Sequence, residues 1–176
     1  MNIDSLVKVI YDFPYKGRIT MDMSPLYTTS EAFNFCVDWL AELVKSNNIE
    51  HIVAIETRGF LAAAAVAYET KLPLHLARKT ILMPGEFVTK KFTQRGKPYV
   101  LSLSKTMPIS GNVMIFDDIV ASGATLNAVG EMLTEHWNIA PQNQLHTALV
   151  YSVASQGEQM LLDAGYMMSY LAKINC

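Results

Sequence analysis

The sequence is short of cysteine: Cys36 and Cys176 are the only two among 176 residues. Two cysteines so far apart build neither a disulfide framework nor a thiolate metal site, which fits a reducing compartment. The four histidines, at 51, 75, 136 and 146, are scattered and suggest no metal cluster. Long apolar runs are missing too. The longest, Phe60 to Tyr68, is too short to span a bilayer. The start, Met1-Asn2-Ile3-Asp4, has no basic region before an apolar core, so no secretory leader is expected. Repeats, low-complexity tracts and interdomain linkers are absent. An excess of positive charge is absent as well: a net charge of −2 argues against a general nucleic-acid binder. What is present is 51% hydrophobic and 17% charged, the balance of a globular chain. The length suits one α/β domain over residues 1–176, without a membrane span and in the cytoplasm.

The elements follow from periodicity. Ile3, Leu6, Val7 and Ile10 have helical spacing and predict a helix to Tyr11, ended by Pro14 and Gly17. Ile19 to Pro25 reads as an extended piece and a turn. Thr28 and Glu31 have capping-box spacing, predicting a helix to about Lys45 with Phe33, Val37, Leu40 and Val44 inward. Then strand–loop–helix units alternate: His51–Ile55 before a helix over 60–70, Leu72–Ala77, Val113–Phe116 before a helix from Thr125 to about His136, and Leu145–Val150 before a helix over 158–164. Tyr99–Ser104 alternates apolar and polar residues as an antiparallel strand. Tyr166–Leu171 is a last short strand, and Tyr151, Tyr166 and Tyr170 read as core residues.

One stretch organises the rest: Val113-Met-Ile-Phe-Asp117-Asp118-Ile-Val-Ala121-Ser122-Gly123-Ala124-Thr125. An apolar strand leads to two acids and then to a loop of small side chains. Such a loop lets a ligand approach the backbone. Ser122 or Thr125 is expected to cap the following helix, whose apolar face is Leu126, Val129 and Leu133. The free N–H groups at that helix start suit a phosphate. Asp117 and Asp118 cannot hold phosphate, but they can hold sugar hydroxyls or a metal ion. Phosphate loop and acids together describe a sugar phosphate, bound at the carboxyl edge of a parallel sheet. A second unit places Glu56-Thr57-Arg58-Gly59 after a strand, where a guanidinium can grip a pyrophosphate bidentately. A third feature is charge. Residues 78–97 carry six Lys or Arg and one acid, a local +5 against −7 elsewhere, which favours a small polyanionic ligand.

The 113–125 run resembles the 5-phosphoribosyl-1-pyrophosphate (PRPP) motif of type I phosphoribosyltransferases. Glu56-Thr57-Arg58-Gly59-Phe60 resembles the pyrophosphate loop of the adenine enzymes, in which this peptide is often cis. Asp12-Phe-Pro14 with Gly17, Asp22 and Pro25 resembles their N-terminal segment. Arg78-Lys79 and Pro84-Gly85 resemble their catalytic loop. The resemblance implies a mostly parallel central sheet flanked by helices. It also implies a small hood from about residues 10–27 with the C-terminal segment, and a flexible loop at about 80–98 that closes over substrate.

It implies phosphoribosyl transfer from PRPP to a purine, with adenine the expected base and AMP and pyrophosphate the products. Asp117, Asp118, Arg58 and Gln94 are the implied catalytic residues. Thr57, Arg58, Arg78, Lys79, Asp117, Asp118 and Ala121 to Thr125 would hold PRPP, and Ile19 and Thr20 would lie near the base. Mg²⁺ is expected, bound mainly through PRPP rather than by protein side chains, and a homodimer is expected by resemblance.

The sequence departs from the family where Gln94-Arg95-Gly96-Lys97 stands in place of Glu-Tyr-Gly-Lys. Gln94 can donate and accept hydrogen bonds but cannot move a proton. A family lysine is Leu82, and a basic residue common before the Asp is Met21. Specificity for a 6-oxopurine, a non-catalytic PRPP-sensing regulator, and a simple flavodoxin-like nucleotide domain are the alternatives.

Overall fold

A computed structural model describes residues 1–176. Its centre is a five-stranded sheet of β3 (Ile49–Ile55), β4 (Leu74–Ala77), β7 (Asn112–Val120), β8 (Gln144–Ser152) and β9 (Met167–Ile174). The spatial order is β4-β3-β7-β8-β9, and every pairing is parallel. Parallel neighbours need crossovers, and helices supply them. These are α3 (Gly59–Thr70), α4 (Ala124–Trp137) and α5 (Gly157–Asp163), with α2 (Ser30–Ser46) leading into β3. Two antiparallel pairs lie outside the sheet. The first joins β1 (Lys8–Ile10) to β2 (Thr20–Asp22), and the second joins β5 (Phe87–Gln94) to β6 (Lys97–Ser104).

Strand alternation divides the core in two. Ile52 and Ala54 of β3 and Met114 and Phe116 of β7 pack with Cys36 and Leu40 of α2 and Ala62 and Val66 of α3. Val53, Ile55, Val113 and Ile115 point the other way, toward Leu126, Val129 and Leu133 of α4 and Val88, Leu101 and Leu103 of the β5–β6 ribbon. Near-continuous apolar strands are what a sheet covered on both faces requires.

Three local expectations change. The N-terminal helix is absent: Asp4–Leu6 is a single 3₁₀ turn, and Lys8–Ile10 pairs with Thr20–Asp22. The β-branched Val7, Val9 and Ile10 suit a strand better than a helix, and the helical spacing of Ile3 and Val7 reflects only that both reach the core. The capping box does not form. Pro25 starts a separate short helix, α1 (Ser24–Thr28), so the Thr28 hydroxyl donates to Ser24 O at 3.0 Å inside that helix. The long helix begins at Ser30 after Thr29, with Ala32, Cys36, Leu40, Ala41 and Val44 buried and Phe33 and Val37 half-buried. Residues 80–98 are less a loop than a ribbon, because β5 and β6 pair in unbroken register from Phe87–Ser104 to Gln94–Lys97.

Beneath α4, His146 of β8 is fully buried, stacked on Tyr166 at 4.1 Å between centroids, with neither ring nitrogen hydrogen-bonded. Burial pushes its pKa down to about 3. The folded protein therefore refuses a proton that the unfolded chain accepts below about pH 6.5. Between about pH 6.5 and 3 this residue should weaken the fold by about 1.4 kcal/mol per pH unit. Urea melts of wild type and His146→Phe at pH 6 and pH 4 should show a shallower acid loss in the variant. Equal losses would mean that His146 is not the group responsible.

Candidate active site

The carboxyl ends of β3, β7 and β8 open into one cleft of about 710 Å³. Its floor is the end of β7. Asp117 and Asp118 lie inside the strand, which continues to Val120, rather than after it. Successive strand residues face opposite ways. Asp118, almost fully buried, meets Arg58: Oδ2 lies 2.5 Å from the guanidinium Nε. That contact is ionic rather than an aligned hydrogen bond, since Oδ2 has no hydrogen-bond donor. Asp117 Oδ1 accepts the backbone N–H of Asp118 at 2.9 Å. Burial first, and the adjacent Asp118 charge second, hold the Asp117 carboxyl well above the ordinary carboxylate range, against a smaller opposing pull from Lys79. Adjacent carboxylates in a partly dry site resist ionising together, and a cationic ligand would relieve them.

Arg58 reaches Asp118 because the 56–59 turn lies directly against β7. At Gly59 an added Cβ would sit 3.2 Å from Phe116 O and 3.3 Å from Asp117 Oδ1. The peptide between Glu56 and Thr57 is cis, as the resemblance implied. Glu56 ties the next strand to this turn. Its carboxylate accepts the Lys79 backbone N–H at 2.6 Å and lies 3.5 Å from the Arg78 guanidinium. Lys79 lines the cleft, whereas Arg78 does not and is turned to Glu56.

The expected phosphate loop follows β7. Ala121, Gly123 and Thr125 line the cleft. Neither Ser122 nor Thr125 caps α4: the capping position is Gly123, at φ +72°, with no side-chain cap. Ala124 is the first helical residue. Ser122 Oγ instead accepts Gln94 Nε2 at 3.3 Å, so the β5–β6 ribbon touches the loop. Ile19 and Thr20, together with Gly17 and Arg18, form the facing wall.

Several cleft residues were not singled out from the sequence. Arg95 and Tyr99 come from the ribbon, and Tyr99 is held by stacking on Phe92 with centroids 5.8 Å apart. Ser152 ends β8, and Ala154 and Ser155 follow it, a second run of small residues between a strand and a helix like that at 121–125. Gly157 buttresses the 121–125 loop. Its N–H donates to Ala121 O at 3.1 Å, and a Cβ there would lie 2.1 Å from Ala121 O and 2.6 Å from Gly123 N.

The comparisons with known proteins agree with this geometry. Residues 24–162 match the family model of the phosphoribosyl transferase domain. This chain belongs to the phosphoribosyltransferase family. Among curated relatives, the adenine phosphoribosyltransferase of Treponema denticola is 34% identical over 134 residues, covering 76% of this chain and 70% of that protein. The Mycoplasmopsis synoviae adenine phosphoribosyltransferase is 36% identical over 134 residues, covering 76% and 78%. The crystal structure of the Thermoanaerobacter pseudethanolicus adenine phosphoribosyltransferase superposes with a TM-score of 0.85 at 29% identity over 98% of both chains. That of the Giardia lamblia enzyme with 9-deazaadenine superposes at 0.89 over 99% and 97%, and at 24% identity it speaks for the fold alone.

Replacing Gly157 by alanine must push the 121–123 backbone aside. The expected result is a rise of at least tenfold in the KM for a phosphorylated substrate, with the melting temperature falling by a few degrees, roughly what 1–2 kcal/mol of overpacking produces. Unchanged KM would show that the loop does not depend on this contact.

Proposed function

We propose that this chain transfers the 5-phosphoribosyl group of PRPP to a purine, with adenine as the base, releasing AMP and pyrophosphate. The observation that carries the reading is the convergence of the 56–58 turn, the Asp117–Asp118 pair and the 121–125 loop on one cleft of a family member. In the reaction the bond from ribose C1 to pyrophosphate breaks with its electron pair leaving on the pyrophosphate, a bond from the base nitrogen to C1 forms, and the proton of that nitrogen passes to water or the departing pyrophosphate. Positive charge builds on the ribose as the bond breaks.

The roles follow from charge and reach. The 5′-phosphate suits the backbone of Ala121 to Thr125. The leaving pyrophosphate suits Thr57, Arg58 and Lys79, with Arg78 reaching it if its guanidinium leaves Glu56. Asp117 and Asp118 suit the ribose hydroxyls, and the negative charge of the pair stabilises the developing cation. Arg58 is occupied by Asp118 before substrate arrives. An anion that draws the guanidinium away frees Asp118 Oδ2 to accept a hydroxyl, so pyrophosphate and ribose recognition are coupled. Gln94 and Ile19–Thr20 face the base side, where Gln94 orients rather than moves a proton.

Mg²⁺ fits this donor set. No three His, Cys, Asp or Glu side chains converge on one point. The ion's hard oxygen ligands would come mainly from the pyrophosphate, with Glu56, Asp117 and Asp118 the carboxylates that line the cleft. When bound, it neutralises charge on the diphosphate.

We also propose a cytoplasmic homodimer. Both cysteines are free, and no helix is long and apolar enough to cross a membrane. Helix α3 is rich in apolar residues and leaves Leu61 and Tyr68 exposed, with Leu76, Ile81 and Leu82 exposed on and after β4. Exposed apolar side chains in this number suit a partner surface. Tyr68→Glu should shift the species seen by light scattering toward monomer; a wild type already monomeric at micromolar concentration would refute the dimer.

Pyrophosphate release from PRPP with Mg²⁺ and each purine in turn tests the activity. Turnover is expected with adenine. Turnover with hypoxanthine or guanine instead would move the specificity, and tight PRPP binding without turnover would favour the regulator. Asp118→Asn should lower kcat on the order of 10²-fold. Its stability loss should stay under about 1 kcal/mol, because Arg58 is half exposed. A near-normal rate would remove Asp118 from the chemistry.

A further inference from the structure

The β5–β6 ribbon presents one face to α4. Val88, Lys90, Phe92 and Gln94 alternate onto it, across from Leu103, Leu101, Tyr99 and Lys97, while Thr89, Lys91 and Thr93 are exposed. Leu101 and Leu103 are fully buried. A lysine in that row is unfavourable unless its charge is met. Lys90 is met twice. Its ammonium lies 2.9 Å from Glu131 Oε2 and 2.5 Å from Glu135 Oε1, two carboxylates one helical turn apart on α4. Its side chain is 23% exposed, so solvent screens the contacts only in part. Both carboxylates raise the lysine's affinity for its proton, so it stays charged.

The clamp also connects to the phosphate loop. Glu131 Oε1 accepts Asn127 Nδ2 at 2.9 Å, and the Asn127 N–H donates to Gly123 O at 2.9 Å. Beyond this clamp and the apolar packing of Val88, Leu101 and Leu103, the polar ties of the ribbon to the rest of the chain are few. At its root a single bridge joins Ser102 to Arg78, and the Ser102 hydroxyl bonds Thr80 O. At its tip Gln94 reaches Ser122 at 3.3 Å. No strand of the ribbon joins the five-stranded sheet.

We propose that Lys90 is a positioning residue: clamped between Glu131 and Glu135, it holds the ribbon on α4 so that Gln94, Arg95 and Tyr99 stand over the cleft. Its effect on turnover rests on the phosphoribosyl-transfer reading; the clamp itself does not. Lysine suits the task because one compact ammonium can serve two carboxylates at once.

The test has one arm without activity and one with it. In the first, ligand-free wild type and Glu131→Gln/Glu135→Gln, which keeps every tryptic site, are digested with trypsin. Cleavage after Lys91 and Arg95 should be about tenfold faster in the variant, equivalent to ~1.4 kcal/mol of lost docking, and wild type should approach it in 1 M salt. Equal cleavage rates overturn the clamp whatever the protein catalyses. In the second, Lys90→Met should lower kcat/KM for PRPP about tenfold, mostly through KM, with little change in melting temperature. Lys90→Arg should restore most of it. Combining Lys90→Met with the glutamine pair should cost no more than either alone, the non-additivity of one shared interaction. Additive losses, or faster cleavage with unchanged kcat/KM, overturn the positioning role. Absence of turnover in wild type with any purine would instead overturn the transferase reading, and the proteolysis arm would still decide the clamp.

Discussion

The cleft depends on the backbone of the 56–59 turn lying against the end of β7. That approach, tight enough at Gly59 that an added Cβ would sit 3.2 Å from Phe116 O, brings a guanidinium from one strand–helix unit onto a carboxylate of the next. It puts opposite charges at contact distance at a partly dry sheet edge, where the attraction is strong but each group retains unused hydrogen-bonding capacity. Asp118 Oδ2 is buried without a donor. A ligand carrying both phosphate and hydroxyl groups can satisfy both halves of the pair. Neither half alone selects such a ligand.

Around this pair the protein builds support from three directions. Glu56 fastens the start of the 78–79 segment to the turn. Gly157 fastens the α5 end of the chain to the phosphate loop. The ribbon closes the third side through Gln94 and Lys90. Each support is a polar contact between segments well apart in the sequence. The α4 helix links these supports: its first turn shapes the loop, and its third and fourth turns hold the ribbon.

The strand–loop–helix alternation, the acidic pair, the Arg58 turn and the small-residue loop were all legible because each is a contiguous pattern with a local physical cause. Local rules failed where a neighbour competed. The spacing of Ile3, Leu6, Val7 and Ile10 looked helical, but Thr20–Asp22 offered a strand partner. Thr28 and Glu31 looked like a cap, but Pro25 had already started a helix. Ser122 was expected to cap α4, but its hydroxyl faces Gln94. Arg78 and Lys79 are adjacent in sequence and diverge in space, because successive residues leaving a strand point to opposite sides and Glu56 waits on one of them.

From sequence alone came the fold class, the family resemblance and the residues that converge on the cleft at the end of β7. Periodicity and short-range motifs depend on neighbours within a few positions, and the sequence displays those directly. Only the tertiary structure decided that Arg58 is held by Asp118, that Gly157 props the 121–125 loop, and that Lys90 joins the ribbon to α4. These contacts span 60, 36 and 41 to 45 positions. Nothing local marks one partner for the other until the sheet order and the crossover helices have brought them together.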